Sequence, residues 1–251
     1  LWGDERFLDG IDIDPPTFYR RLRKSKTFPT TSQPSAGEFE EFFRQASIGA
    51  DAVVAVLLTS KLSGTVASAL AAQAELPNLS IRIVDSLSTS MGLGFCVLAA
   101  ARAAAAGGSL DEVVAAAETM RERVHLILTV DTLEYLHRGG RIGGARRLLG
   151  TALNVKPLLH FTEGVIEPLA QPRTKRKAIG RMLDEVEERL AGRPMGGVAA
   201  IDVDSPEEGD ALAARVRERF AVSRVHRTTV SPVIGTHAGP GTVGIAFYAR
   251  S

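Results

Sequence analysis

Chemistry in this chain is concentrated in stretches far apart in sequence, Thr31-Ser32-Gln33-Pro34-Ser35 and His237-Ala238-Gly239-Pro240-Gly241-Thr242-Val243-Gly244, with Leu62-Ser63-Gly64-Thr65 between them. Each sets hydroxyl or imidazole groups beside backbone that Gly and Pro force out of regular structure, an arrangement suited to a small anionic head group. Neither of the two outer stretches contains a metal-ligand cluster. Together the three read as a binding site assembled from several loops.

Every one of these residues also has a purely local reading. Ser63 is placed to cap a helix, whose N-terminal amides would add partial positive charge, while Gly64 lets backbone approach closely. It does not lie in a Gly-x-Ser-x-Gly elbow, and no ordered acid and histidine accompany it, which disfavours a serine hydrolase. Ser35 with Glu38 three residues later forms a capping box for a helix over Ala36–Gln45. Pro34 keeps Gln33 extended, so Thr31 is left to point elsewhere. His125, His137, His160 and His226 read as structural, whereas His237 precedes Gly-Pro-Gly and is expected in a non-helical loop that leads into the final strand. Gly239 to Gly244 lacks the Lys-Ser/Thr ending of a phosphate-binding loop and the spacing of a dinucleotide fold.

Two basic clusters stand out, Arg138, Arg141, Arg146 and Arg147, and then Arg173, Lys175, Arg176 and Lys177. Solvated surface is the common fate of such clusters, and snorkelling is the ordinary role of lysines on a helix. Without interleaved aromatics they favour a protein or phosphate partner over nucleic acid.

The bulk composition sets the class. A chain of 251 residues, 45% hydrophobic, can bury a substantial core in one large or two smaller domains. Thirty Lys and Arg against 29 Asp and Glu leave a formal charge of +1, which excludes the global field that nucleic acid or an acidic membrane would call for. The single cysteine, Cys96, reads as an inert residue on a buried helix face. The longest apolar stretch, Met91 to Gly108, is alanine-rich and interrupted by Arg102, so no spanning helix is expected. No secretory signal is read, and the cytoplasm is the expected compartment. Leu1-Trp2-Gly3 lacks an initiator methionine and a first strand, which reads as residues missing upstream.

Strand, helix and turn signals alternate along the chain. Asp51–Leu58 and Leu79–Val84 read as strands, Val66–Leu76, Met91–Ala106 and Leu110–Val124 as helices, and Leu126–Val130 as a strand extending the same sheet. This rhythm predicts an α/β fold whose first domain, residues 1–130, holds a doubly wound, mainly parallel sheet, with a small clasp at residues 1–26. After Val130, Leu133–Leu136 and Ala145–Leu153 read as short helices, with a hairpin around Glu163-Gly164. Helices 175–190 and 206–220 with strands 197–203, 222–229 and 243–249 predict a second α/β domain, residues 131–251, with a mixed sheet and flanking helices.

Five motifs, in order over nearly the whole chain, resemble the DegV family of bacterial fatty-acid-binding proteins. They are Thr31–Ser35, Leu58-Thr59-Ser60-Lys61-Leu62-Ser63-Gly64-Thr65, Val84-Asp85-Ser86 with Ser90-Met91-Gly92, Leu136–Ile142 with its Gly-Gly-Arg core, and His237–Gly244. The family's upstream Thr-Asp-Ser strand has no counterpart in this sequence. The resemblance implies a non-enzymatic protein, without cofactor or metal, that holds one long-chain fatty acid between two α/β domains and presents its carboxyl group to a separate fatty acid kinase for conversion to acyl-phosphate. It implies that Thr31, Ser63 and His237 bind the carboxylate, with Ser32, Gly64, Thr65, Ser90 and Gly239 near the head group. It also implies that Arg141 lies near the mouth and that Arg141 and Arg173 serve kinase docking or phosphoryl transfer. The rival classes are a self-contained phosphotransferase or hydrolase acting on a small anion, and a regulatory module whose lipid is structural.

Overall fold

The structure, a computed structural model, describes residues 1–150 and 155–250. It divides into two compact units, each considered by itself.

Residues 33–124, with 162–165, form the unit built on β1 (Val53–Leu57) and β2 (Ile81–Asp85), which pair in parallel from Val53 opposite Ile81 to Leu57 opposite Asp85. Alternate residues of β1 serve opposite faces, as strand geometry requires. Val53, Ala55 and Leu57 pack with Phe39 and Phe43 of α2 (Ala36–Ala46) and with Ala69 and Ala72 of α3 (Thr65–Ala74). Val54 and Val56 instead meet Ala100 of α4 (Ser90–Ala105) and Val113 and Ala117 of α5 (Leu110–Arg123). Helices on both faces of a parallel sheet make this layer doubly wound. Local caps set the helix starts. Ser35 and Ser109 each form a reciprocal capping box with the glutamate three residues on, Glu38 and Glu112. Cys96 is fully buried in α4, and burial pushes its thiol up to about 11.

The other unit comprises residues 1–32, 125–161 and 166–251. Its six-stranded sheet has the order β5-β4-β3-β8-β6-β7, from β3 (His125–Thr129), β4 (Leu158–Thr162), β5 (Val165–Ala170), β6 (Met195–Asp202), β7 (His226–Thr229) and β8 (Val243–Ala249). β3 and β6 flank β8 antiparallel, whereas β7 joins β6 in parallel. Met182, Leu183, Val186 and Leu190 of α7 (Lys175–Leu190) and Leu212, Ala213 and Val216 of α8 (Pro206–Phe220) bury one face of the sheet. The hairpin joining β4 to β5 turns at Glu163 and Gly164, both at positive φ, as the tight primed turns demand.

Two expectations from sequence need correction. The strand near residue 126 does not extend the parallel sheet. It becomes β3 of the mixed sheet, where Ile127 pairs antiparallel with both His160 and Ile245. Its apolar run suits any buried strand, and only these distant partners decide which sheet it joins. The helix expected over 145–153 is a 3-10 segment, Gly143–Leu148, and residues 151–154 lie outside the described residues. Residues 1–32 fall in the unit of the six-stranded sheet, whereas the boundary drawn at residue 130 groups them with the parallel layer. Within this segment α1 (Pro15–Lys24) starts at an Asp14 cap and buries Phe18, Tyr19 and Leu22, with Trp2 edge-on to Phe18 at 5.5 Å. Among the described residues, no helix is long and apolar enough to cross a membrane.

Candidate functional site

In the unit of the six-stranded sheet, the site is built around α9 (Pro232–Ala238). His237 therefore sits in the last turn of a helix, not in the extended loop that Gly-Pro-Gly suggested. The reason is positional: Pro232 at the start supplies a pre-set φ, and Gly239 at φ 78 ends the helix after His237 instead of preventing it. Thr236 Oγ1 and Thr242 Oγ1 donate to the carbonyls of Pro232 and Ala238, which fastens both ends of the turn.

Thr31 Oγ1 lies 2.7 Å from His237 Nε2. Burial, followed by the positive charge of Arg141, pushes the imidazole down to about 4, so it is neutral near pH 7. Its other nitrogen, Nδ1, is buried and has no hydrogen-bond partner among the described residues. That nitrogen faces Gly139, at the end of α6 (Glu134–Arg138), where a Cβ would overlap it. Arg141 Nη1 donates to the Gly139 carbonyl at 2.7 Å. Gly239 is pressed by the Tyr135 ring, so a side chain there would collide as well as strain the backbone. Thus the structure brings Thr31, His237, Arg141 and Gly239 together, with Ser32 exposed beside Thr31.

Sequence reasoning missed the frame under this loop. Lys175 Nζ donates to the Gly241 carbonyl and pairs with Asp131 Oδ1 at 3.0 Å and Glu208 Oε2 at 3.1 Å. Burial pushes the Asp131 carboxyl up, but hydrogen bonds from Lys175 and Lys156 outweigh it and hold the group below its ordinary range. Asp131 and Lys175 carry no motif signal, and only their convergence on Gly241 reveals the role. Lys175 is accordingly a braced structural cation. Arg138 and Arg147 are likewise paired, with Glu134 and Glu167, while Arg173 is exposed and has no hydrogen-bond or ion-pair partner among the described residues.

In the parallel-sheet unit, Ser63, Gly64, Thr65 and Ser90 follow the carboxyl ends of β1 and β2, the edge where open α/β layers place their ligands. Gly64, not Ser63, caps α3, and no side-chain cap bond is made there. The Ser63 hydroxyl instead lies 2.8 Å from Thr65 Oγ1 and accepts from the Thr65 amide at 3.3 Å. A Cβ on Gly64 would come within 2.9 Å of Gln33 Nε2, so the Gln33 side chain covers that glycine. Asp85 ties the neighbouring loops, accepting from the amides of Ser60 at 3.1 Å and Leu87 at 2.9 Å. Ser90 opens α4 at φ 48, a left-handed conformation costly for a residue with a side chain.

In the unit of the six-stranded sheet these groups are a hydroxyl and a neutral imidazole, and in the parallel-sheet unit, taken by itself, they are hydroxyls and helix-start amides; both kinds of group suit an anion. They are poorly suited to hydrolysis. A threonine beside a histidine resembles a nucleophile and base, but no acid among the described residues orients His237 Nδ1, and an imidazole held near 4 is a weak base. Among the described residues there is no group of three or more His, Cys, Asp or Glu able to hold a metal ion.

The family described as uncharacterised protein, DegV family, matches residues 1–250. A DegV domain-containing protein of Streptomyces coelicolor is 42% identical over 250 residues, covering 99% of this chain and 88% of that protein. Among solved structures, a fatty-acid-binding DegV family protein of Thermus thermophilus superposes with a TM-score of 0.91 at 35% identity, covering 97% of this chain and 87% of the other. DegV of Bacillus subtilis, a fatty acid binding protein, gives a TM-score of 0.90 at 32% identity, covering 100% and 89%.

Proposed function

Because this chain belongs to the DegV family, we propose that it binds one long-chain fatty acid in an apolar tunnel, its carboxylate held by the hydroxyls of Thr31 and Ser63 beside His237. In this reading the protein works in the cytoplasm as a carrier. It presents the carboxyl group to a separate kinase that forms the acyl-phosphate, with Arg141 and Arg173 serving docking or phosphoryl transfer. The T. thermophilus and B. subtilis relatives bind fatty acids, which supports the ligand class.

The observation that carries the reading is the Thr31–His237 pair, a hydroxyl and a neutral imidazole joined at 2.7 Å with no acid behind them among the described residues. Energetics favour the same ligand. A tail of about 14 methylenes at about 0.8 kcal/mol each contributes at most about 11 kcal/mol. Burying the carboxylate costs several kcal/mol, which two or three charge-assisted bonds of about 1.5 to 3 kcal/mol each offset. The tail therefore sets affinity, and the head-group donors set orientation.

Native mass spectrometry of the purified chain tests the reading. A co-purifying mass matching a long-chain fatty acid is expected, and a protein that neither carries one nor takes up added palmitate overturns it. For the kinase step, acyl-phosphate is expected when the loaded protein meets ATP and a fatty acid kinase, and turnover of a small anion by the chain alone would favour the enzyme reading.

A further inference from the structure

Three facts about the Thr31–His237 pair define a direction for its proton. Nδ1 of His237 is buried without a hydrogen-bond partner among the described residues. A Cβ on Gly139 would overlap that nitrogen and lie 3.0 Å from Cε1, so the Cα of Gly139 is packed against the Nδ1 edge of the ring. The Thr31 hydroxyl makes no second hydrogen bond within the described residues.

A neutral imidazole carries one proton, on Nδ1 or on Nε2. On Nδ1 it would be a buried donor facing a C–H bond, without an acceptor and crowded by Gly139; buried unpaired N–H groups are rare and costly. On Nε2 it is used, because Thr31 Oγ1 accepts it at 2.7 Å. The lone pair then left on Nδ1 meets only a weak C–H contact.

The consequence reaches the ligand. With its oxygen accepting from His237, the Thr31 hydroxyl has its own proton to give and no acceptor for it among the described residues. We propose that Gly139 is a positioning residue that fixes His237 as the Nε2–H tautomer, so that Thr31 donates its proton to an ionised head group and the site selects a carboxylate over a protonated acid, an alcohol or an amide. This rests on the fatty-acid reading and adds to it the charge state of the ligand and the residue that enforces it. The opposite tautomer would have Thr31 donating to His237, leaving only lone pairs for the ligand and favouring a neutral donor.

The decisive measurement is the imidazole nitrogen spectrum of the full chain, labelled with nitrogen-15, at about pH 7. His237 is assigned by loss of its signals in His237→Gln, and spectra are taken before and after adding palmitate. The expected result is a protonated Nε2 and an unprotonated Nδ1 in both states; a protonated Nδ1 in the loaded protein overturns the proposal. Palmitate labelled at its carboxyl carbon should resonate as the ionised form when bound, and a protonated position is equally fatal. Binding of palmitate should exceed that of hexadecanol by about tenfold or more. Equal binding of the two contradicts the selection. Gly139→Ala should lose the tautomer signature and that preference together, and its retention of both would remove Gly139 from the role. Should that variant fail to fold, the spectra of the unaltered chain still decide. If the unaltered chain does not bind palmitate at all, the fatty-acid reading itself fails, whereas binding with the Nδ1–H tautomer defeats only this inference.

Discussion

The hydroxyl of Tyr19 rests against the backbone of Gly235, two residues before His237, so closely that a Cβ on Gly235 would overlap it. Tyr19 is 1% exposed, and its hydroxyl is buried without a hydrogen-bond partner among the described residues. Burial, then the charges of Asp204, Asp202 and Asp9, push its ionisation far up, leaving a neutral phenol that acts as a spacer between α1 and α9.

Gly235→Ala should therefore cost about 1 to 3 kcal/mol by overpacking and weaken palmitate binding as α9 shifts. Tyr19→Phe removes an unsatisfied hydroxyl while keeping the ring, so stability should change by no more than about 1 kcal/mol. Urea unfolding checks both. A Gly235→Ala protein as stable as the parent would show that the contact is slack.

Arg141→Ala should raise the pKa of His237 from about 4, because the guanidinium is the second cause of its depression. The value should remain below 6.5, since burial is the larger cause. Titration of the His237 ring proton by NMR reads the shift directly, and an unchanged value would mean that the charge does not reach the imidazole. If Arg141 docks the kinase, the same variant should lose acyl-phosphate formation while retaining bound lipid.

Thr31→Val and Ser63→Ala should each reduce palmitate affinity about tenfold or more. Ser63→Ala should change stability by less than about 1 kcal/mol, because Gly64 is the cap of α3 and Ser63 makes only the local bonds to Thr65. Calorimetric titration beside thermal melting separates the two effects. A large fall in melting temperature with full binding would make Ser63 a structural residue only.

Acid should weaken the six-stranded unit through His125. Burial, then Arg189, Arg193 and His160, push His125 down to about 4 from 6.5. Arg189 approaches the Nδ1 atoms of His125 at 3.4 Å and His160 at 3.1 Å. Because the folded value lies below the unfolded one, the unfolded chain takes up the proton first. Stability is then fully present above about 6.5 and is lost as pH falls toward about 4. After allowing for solvent screening the loss is on the order of 1 to 2 kcal/mol. His125→Gln should flatten the fall in urea midpoint over that range, and an unaltered slope would assign it to other groups.

Much of this molecule is legible along the chain because the signals are local. The Ser35–Glu38 capping box, the alternation of β1 between its two faces and the turn at Glu163-Gly164 each depend on neighbours within a few positions. The DegV motifs could be read for the same reason, since each is a short run of residues. Sheet membership of β3 could not be read this way, because its partners lie in β4 and β8 and its own apolar residues suit either sheet. Nor could the helical setting of His237, since Gly-Pro-Gly stops a helix as readily as it prevents one.

From sequence alone, Thr31 and His237 are two candidate polar residues separated by 206 positions. Their composition and motif setting follow from the chain, but their hydrogen bond, the orphaned Nδ1 against Gly139 and the bracing of Gly241 by Lys175 and Asp131 exist only in the folded unit. Hydrogen-bond direction and desolvation depend on atoms brought within a few ångströms by packing, and no spacing along the backbone encodes that distance.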